Sequence, residues 1–132
     1  MRNIYAFLSA ERPQYSDEVN AGRHETLAQQ LMARGFAVCE VKGCYEGVPE
    51  RSWMIDLRGE SPPLLYVMEL AKRYGQESVL VIDAEGQGWL NYVGPTDREH
   101  LGEFRQAFLP AEKLSAYTIM PDGTLWVCGA SL

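Results

Sequence analysis

Apolar residues along this chain repeat at two different periods, and the switches between them mark its elements. Asn3 to Ala10 is apolar on both sides, with Ile4, Ala6 and Leu8 facing one way and Tyr5 and Phe7 the other, which predicts a central strand. Glu11 to Tyr15 reads as a loop, because Pro13 lacks an N–H and biases Arg12 away from helical angles. From about Asp17 to Arg34 the spacing is helical, with Ser16 or Asp17 as cap and Gly35 as the stop. Phe36 to Val41 alternates and predicts a second strand; the glycines and Pro49 between Gly43 and Glu50 predict a loop, and Arg51 to Arg58 alternates again, a natural hairpin partner. Ser61-Pro62-Pro63 signals a second helix that runs to Gly75 on Leu64, Val67, Met68, Ala71 and Tyr74. Short strands follow over Ser78 to Asp83 and Gln87 to Val93, joined at Glu85-Gly86. Pro95 to Ser115 carries no clear period, and Tyr117 to Met120 and Thr124 to Cys128 flank a Pro121-Asp122-Gly123 turn.

The order strand, helix, strand, strand, helix, strand, with extra C-terminal strands, predicts an α+β fold. The expected form is a ferredoxin-like βαββαβ sandwich, its antiparallel sheet covered by two helices. A flavodoxin-like parallel sheet fits less well, since no crossover helix separates the second and third strands. At 132 residues, residues 1–132 are expected to form a single domain.

One stretch departs from its element's pattern. The first helix opens with Ser16-Asp17-Glu18-Val19-Asn20-Ala21-Gly22-Arg23-His24. At about 100° per residue, Asn20 and His24 share a stripe with Leu27 and Leu31, the face a helix buries. Two polar groups therefore point inward, either as satisfied core groups or as ligand contacts. Arg23 flanks the stripe and suits either a salt bridge to Asp17 or Glu18 or a clamp on a substrate carboxylate.

Composition narrows the function. A formal charge of −6, with 18 acids dispersed among 12 bases, argues against a nucleic-acid surface and against DNA mimicry, and mildly favours a cationic ligand. No apolar run is long enough to span a membrane, and the N-terminal apolar run is too short for a secretory signal, so a cytoplasmic location is expected. Cys39, Cys44 and Cys128 match no zinc or redox spacing and are expected as reduced thiols; with only two histidines, no metal or other cofactor is expected. Gly86-x-Gly88 opens no helix and reads as a hairpin turn, not a dinucleotide site. Glu99, His100 and Glu103 read as a solvated charged face, and Trp53, Trp89 and Trp126 as core or subunit-interface residues.

Ser9-Ala10, then Asp17-Glu18-Val19-Asn20-x-x-Arg23-His24, then Gly43-Cys44-Tyr45, in this order and spacing, resemble the S-adenosylmethionine (SAM) degrading enzymes of bacteriophages, first described as SAM hydrolases and now understood as SAM lyases. The resemblance covers residues 4 to 45 and continues more weakly through Glu50 to Ile55 and Ser78 to Asp83. It implies cleavage of SAM to 5′-methylthioadenosine and homoserine lactone, which would remove the methyl donor and cofactor of host restriction-modification. It also implies a homotrimer with sites between subunits. On this reading Tyr45 and Glu50 are the catalytic residues, with Glu46 as the alternative glutamate, and Ser9, Asn20, Arg23, His24 and Cys44 are substrate-binding. Rival expectations are a hydrolase that uses Glu50 as general base for water, and a non-catalytic protein that sequesters its ligand.

Overall fold

Strand alternation decides the architecture. In the computed structural model, which describes residues 3–45, 47–57, 62–94 and 97–129, β1 (Tyr5–Leu8) buries Ala6 and Leu8 against helices on one side and Phe7 against a second apolar cluster on the other. Both sides of β1 are covered, as its double apolar pattern requires.

The helix α1 (Asp17–Ala33) starts at Ser16, whose side chain accepts from the Val19 N–H at 3.1 Å. It stops at Gly35, whose φ of +86° closes the last turn through the Met32 carbonyl. Its buried stripe is Asn20, His24, Leu27, Ala28 and Leu31. After it come β2 (Ala37–Tyr45) and β3 (Val48–Asp56), an antiparallel hairpin in which Gly43 faces Glu50 and Tyr45 faces Val48. Gly43 to Glu50 is therefore hairpin and not loop: Gly43 keeps extended backbone inside the strand, and the turn falls near Gly47, where φ is +82°. Glu46 and Ser61 lie outside the described residues.

The second helix, α2 (Pro62–Arg73), leads to β4 (Ser78–Ile82) and β5 (Gln87–Tyr92), paired antiparallel across the expected turn. The segment without a clear period holds β6 (Arg98–Gln106) and a 3-10 turn at Ala111–Lys113; β7 (Ala116–Ile119) and β8 (Leu125–Cys128) form the last hairpin.

The ferredoxin-like expectation is overturned. Among the described residues, the strands close into an antiparallel barrel in the order β1-β3-β2-β7-β8-β6-β5-β4, with β4 returning to β1. An open sandwich would leave β2 and β4 as edges with unpaired backbone groups. Instead β7 pairs with β2, β5 pairs with β4, and β6 pairs with β8 to complete the ring. Closure brings backbones close at one corner. A Cβ on Gly102, whose φ is +100°, would lie 2.7 Å from the Gly129 Cα, so only glycine suits that corner.

Both helices pack on the outside of the barrel. Leu27 and Leu31 of α1 and Val67, Leu70 and Ala71 of α2 meet the outward residues Ala6, Leu8, Ile55, Leu57, Val79 and Val81. Each fully buried leucine, isoleucine or valine of this layer contributes about 1.5–3 kcal/mol, so the layer is the main hydrophobic support of the wall. The inward residues of the same strands are left to line the barrel interior.

Candidate active site

An eight-stranded barrel is just wide enough to fill itself with side chains or to hold one small ligand. Here it does both. Phe7, Phe104 and Trp126 meet across the middle, with ring centroids 5.7 Å apart for Phe7 and Phe104 and 5.2 Å for Phe104 and Trp126. These three rings border two cavities, one of about 820 Å³ and a smaller one of about 510 Å³ reached past Asn3, Met54 and Met120. The larger has the size of a ligand pocket.

Four of the expected site residues line that larger cavity: Ser9, Cys44, Tyr45 and Glu50. Ser9 follows the inward Phe7 by two residues and is buried; its Oγ accepts from the Glu11 N–H at 3.0 Å. Glu50 comes from β3 and is hydrogen-bonded to Ser9. Burial raises its pKa, the Ser9 bond partly offsets this, and the charge of Glu11 raises it again. Alternation sends the next residue, Arg51, away from the cavity. Its guanidinium holds Glu11 at 2.5 Å and Asp17 at 2.9 Å, and Glu11 also accepts from the Arg51 N–H. The cation next in sequence to Glu50 is thus spent on other carboxylates.

Tyr45 stands at the β2–β3 tip, 65% exposed, on the rim of the cavity. Cys44 pairs in register with Tyr117 of β7 and is hydrogen-bonded to its phenol; that bond, with burial, raises the Tyr117 pKa. Burial pushes the Cys128 thiol, also in the cavity, up to about 11, which keeps it protonated and poorly nucleophilic.

Asn20, Arg23 and His24 are not among the cavity's lining residues. Asn20 accepts from the Arg12 N–H and donates to the Arg12 carbonyl, both at 2.9 Å, and so holds the loop after β1. Arg23 donates to the carbonyls of Ala10 at 2.7 Å and Tyr74 at 2.8 Å, between the rings of Tyr15 and Tyr74. His24 is buried, stacks on Trp53 with centroids 4.3 Å apart, and meets Glu40 at 2.6 Å. These three side chains tie α1 to the loop, to α2 and to β2, outside the wall whose inner side carries Ser9 and Glu50.

Sequence reasoning missed the far wall of the cavity: Tyr117, Thr118, Trp126, Gln76 and Leu90. Glu99, expected on a solvated face, is exposed yet also borders this cavity and accepts from the Tyr92 hydroxyl at 2.8 Å. For Thr118 and Trp126, partners in the last two strands, inward alternation was the available signal, and only barrel closure gives it meaning. Among the described residues no group of three His, Cys, Asp or Glu side chains is gathered as a metal site would need, and no helix is long and apolar enough to cross a membrane.

The cavity therefore combines one partly desolvated carboxylate, a few hydroxyls, and apolar and aromatic walls. Such a lining suits a compact organic cation. No curated protein matches the chain in sequence. The family model described as the S-adenosylmethionine lyase family matches residues 6–129, which covers every strand of the barrel but the first residue of β1. With nearly the whole chain matched, this protein belongs to the S-adenosylmethionine lyase family and is a SAM lyase.

Proposed function

We propose that the protein cleaves SAM inside the barrel cavity, giving 5′-methylthioadenosine and homoserine lactone. The observation that carries this reading is Glu50, a partly buried carboxylate aimed into an apolar cavity while its neighbouring arginine is engaged elsewhere. A cationic substrate supplies the missing counter-charge. The substrate also brings its own nucleophile: its carboxylate oxygen bonds to Cγ, the Cγ–S bond breaks, and the electron pair leaves with sulfur as a neutral thioether. The step consumes no water and needs no proton transfer.

The protein's part is to hold the folded conformer. Pre-organisation of this kind contributes about 7–11 kcal/mol in favourable intramolecular reactions. Glu50 takes the substrate ammonium, fixed in turn by Ser9. Tyr45, on the rim, presents its ring to the sulfonium or its hydroxyl to the methionine end. The apolar wall keeps water from the reacting carboxylate and favours the loss of charge in the transition state. Asn20 and Arg23 hold the loop that follows Ser9, and His24 ties α1 to β2 and β3.

The biological setting follows from the resemblance to bacteriophage enzymes: destruction of SAM in the host cytoplasm starves restriction-modification of its methyl donor. The same resemblance supports a homotrimer, with the exposed Tyr45 and Val48 of the hairpin tip available to a neighbouring subunit. Sedimentation of the purified protein reads that state directly.

Product analysis in ¹⁸O-labelled water tests the chemistry. The lyase step leaves the γ-oxygen of the recovered homoserine unlabelled, because lactone opening labels only the carboxyl. Label in the γ-hydroxyl would establish the hydrolase instead, and stoichiometric binding without methylthioadenosine would establish a sequestering protein.

A further inference from the structure

The β1–β3 ladder ends at Leu8 and Trp53, three residues short of Glu50 on the β3 side, so the stretch of β3 that carries Glu50 has no β1 backbone beside it. Glu11 takes over there. Its Oε2 accepts from the Arg51 N–H at 2.9 Å and from the Arg51 Nε at 2.5 Å. Its own N–H donates to the Ser9 Oγ, and its carbonyl accepts from the Gln76 side chain, both at 3.0 Å. Ser9, Glu50 and Gln76 all line the cavity and come from three separate segments; Glu11 is bonded to two of them and to the neighbour of the third. Arg51 also meets Asp17 at 2.9 Å, but the Asp17 side chain is 94% exposed and that of Glu11 only 16%. Exposed ion pairs contribute little, so the shielded Glu11–Arg51 pair is the one able to fix geometry.

We infer that Glu11 is a positioning residue for SAM cleavage: it braces β3 beyond the end of the β1–β3 ladder and so sets Glu50 within hydrogen-bond reach of Ser9. This rests on the reading of Glu50 as the group that takes the substrate ammonium, and adds what holds that carboxylate in place. Glu11 is not among the cavity's lining residues, so it acts through Arg51 and Ser9. A carboxylate suits the task, because its charge-assisted bond to the guanidinium is about twice as strong as a neutral one and keeps that cation off Glu50. The effect of a misplaced brace is large in a reaction that depends on a near-attack conformer, where a shift of about 1 Å can cost about 100-fold in rate. The charge of Glu11 is felt at Glu50 as well. Burial is the first cause of the raised Glu50 pKa, the Ser9 bond opposes it, and the Glu11 charge adds to it; among the described residues, no such effect comes from Cys44, Tyr45, Glu99, Tyr117 or Cys128, which share the cavity.

Two variants separate the length of the brace from its charge. Glu11→Asp keeps the charge but falls one methylene short of the Arg51 N–H: kcat for SAM should drop about tenfold, while the acid limb of the kcat/KM profile, where Glu50 takes up its proton, stays in place. Glu11→Gln keeps the length and an acceptor but removes the charge. It should retain more kcat than Glu11→Asp, and its acid limb should move to lower pH, because a like charge no longer opposes ionisation of Glu50. Asp17→Asn, which removes the exposed partner of the same arginine, should leave both readouts unchanged. A ¹³C titration of the Glu50 carboxyl reads the same shift without turnover: its midpoint should fall in Glu11→Gln and hold in Asp17→Asn. Wild-type kcat in Glu11→Asp would overturn the inference, as would an unmoved Glu50 titration in Glu11→Gln or a loss of kcat in Asp17→Asn as large as that in Glu11→Asp. Should Glu11→Asp fail to fold, the acid limb and the carboxyl titration of Glu11→Gln decide the matter. A wild type that yields no methylthioadenosine would instead count against the lyase chemistry, and the carboxyl titration would still read whether Glu11 governs Glu50.

Discussion

The helix start and the barrel cavity are both rich in polar side chains, yet they use them in opposite ways. At the helix start Asn20 makes two bonds to the backbone of Arg12, and Arg23 donates to two carbonyls between two aromatic rings. In the cavity Glu50 has Ser9 beside it but, among the described residues, no guanidinium, and its surroundings raise its pKa. Polar groups that satisfy each other stabilise a fold, whereas a desolvated charge left without a counter-ion is held in readiness for a ligand.

Mutations can break this comparison. The largest effect belongs to Glu50→Gln, which keeps the shape and removes the charge: kcat/KM for SAM should fall about 100-fold, equivalent to about 2.7 kcal/mol. Thermal unfolding of the same variant should show no loss of stability. Arg23→Met should do the reverse. It strips charged hydrogen bonds from two carbonyls and should cost about 2 kcal/mol in chemical denaturation, with KM for SAM unchanged in the folded protein. Asn20→Ala should cost about 1.5 kcal/mol for its lost bonds to Arg12, again with little change in KM. Tyr45→Phe, at the exposed rim, should lower activity several-fold and leave stability alone.

The smallest effect is a pH dependence that sets two carboxylates against each other. The Glu50 pKa is raised in the folded state, so its contribution to stability is present below the unfolded carboxylate pKa and is lost as pH rises through the folded value. Glu50→Gln should therefore melt higher than wild type at neutral pH, and the gain should vanish in acid. Asp83 runs the other way. Burial would raise its pKa, but bonds from the Gln87 N–H, the Trp89 indole and the Glu85 N–H outweigh it and hold it low. Asp83→Asn should melt lower at neutral pH, and the loss should shrink as pH falls through the folded pKa. Melting curves of both variants across the acid range check the two signs together.

The two regions were also unequally legible in the sequence. The buried polar stripe of α1 follows from helical periodicity, and so do both helices; strand alternation and turn residues give the pairing of β2 with β3 and the turn at Gly123, but not the continuation of β2 and β3 through Gly43 to Glu50. Closure does not. Alternation reveals that a strand has two sides, but not which distant strand will pair with its edge, so the pairing of β7 with β2 and of β5 with β4 was invisible. Strand β6 was hidden twice over: Arg98, Glu99 and His100 make it read as solvated, and a register shift at Gly88/Trp89 together with the left-handed Gly102 disrupts its period. With closure unseen, Trp126 and Thr118 had no cavity to line, and half of the site could not be assembled from residues 4 to 55.

Where the ligand sits decides the account most directly. In crystals grown with methylthioadenosine, the nucleoside should lie in the cavity that Ser9, Tyr45 and Glu50 line. A nucleoside bound outside the wall, against Asn20, Arg23 and His24, would contradict it.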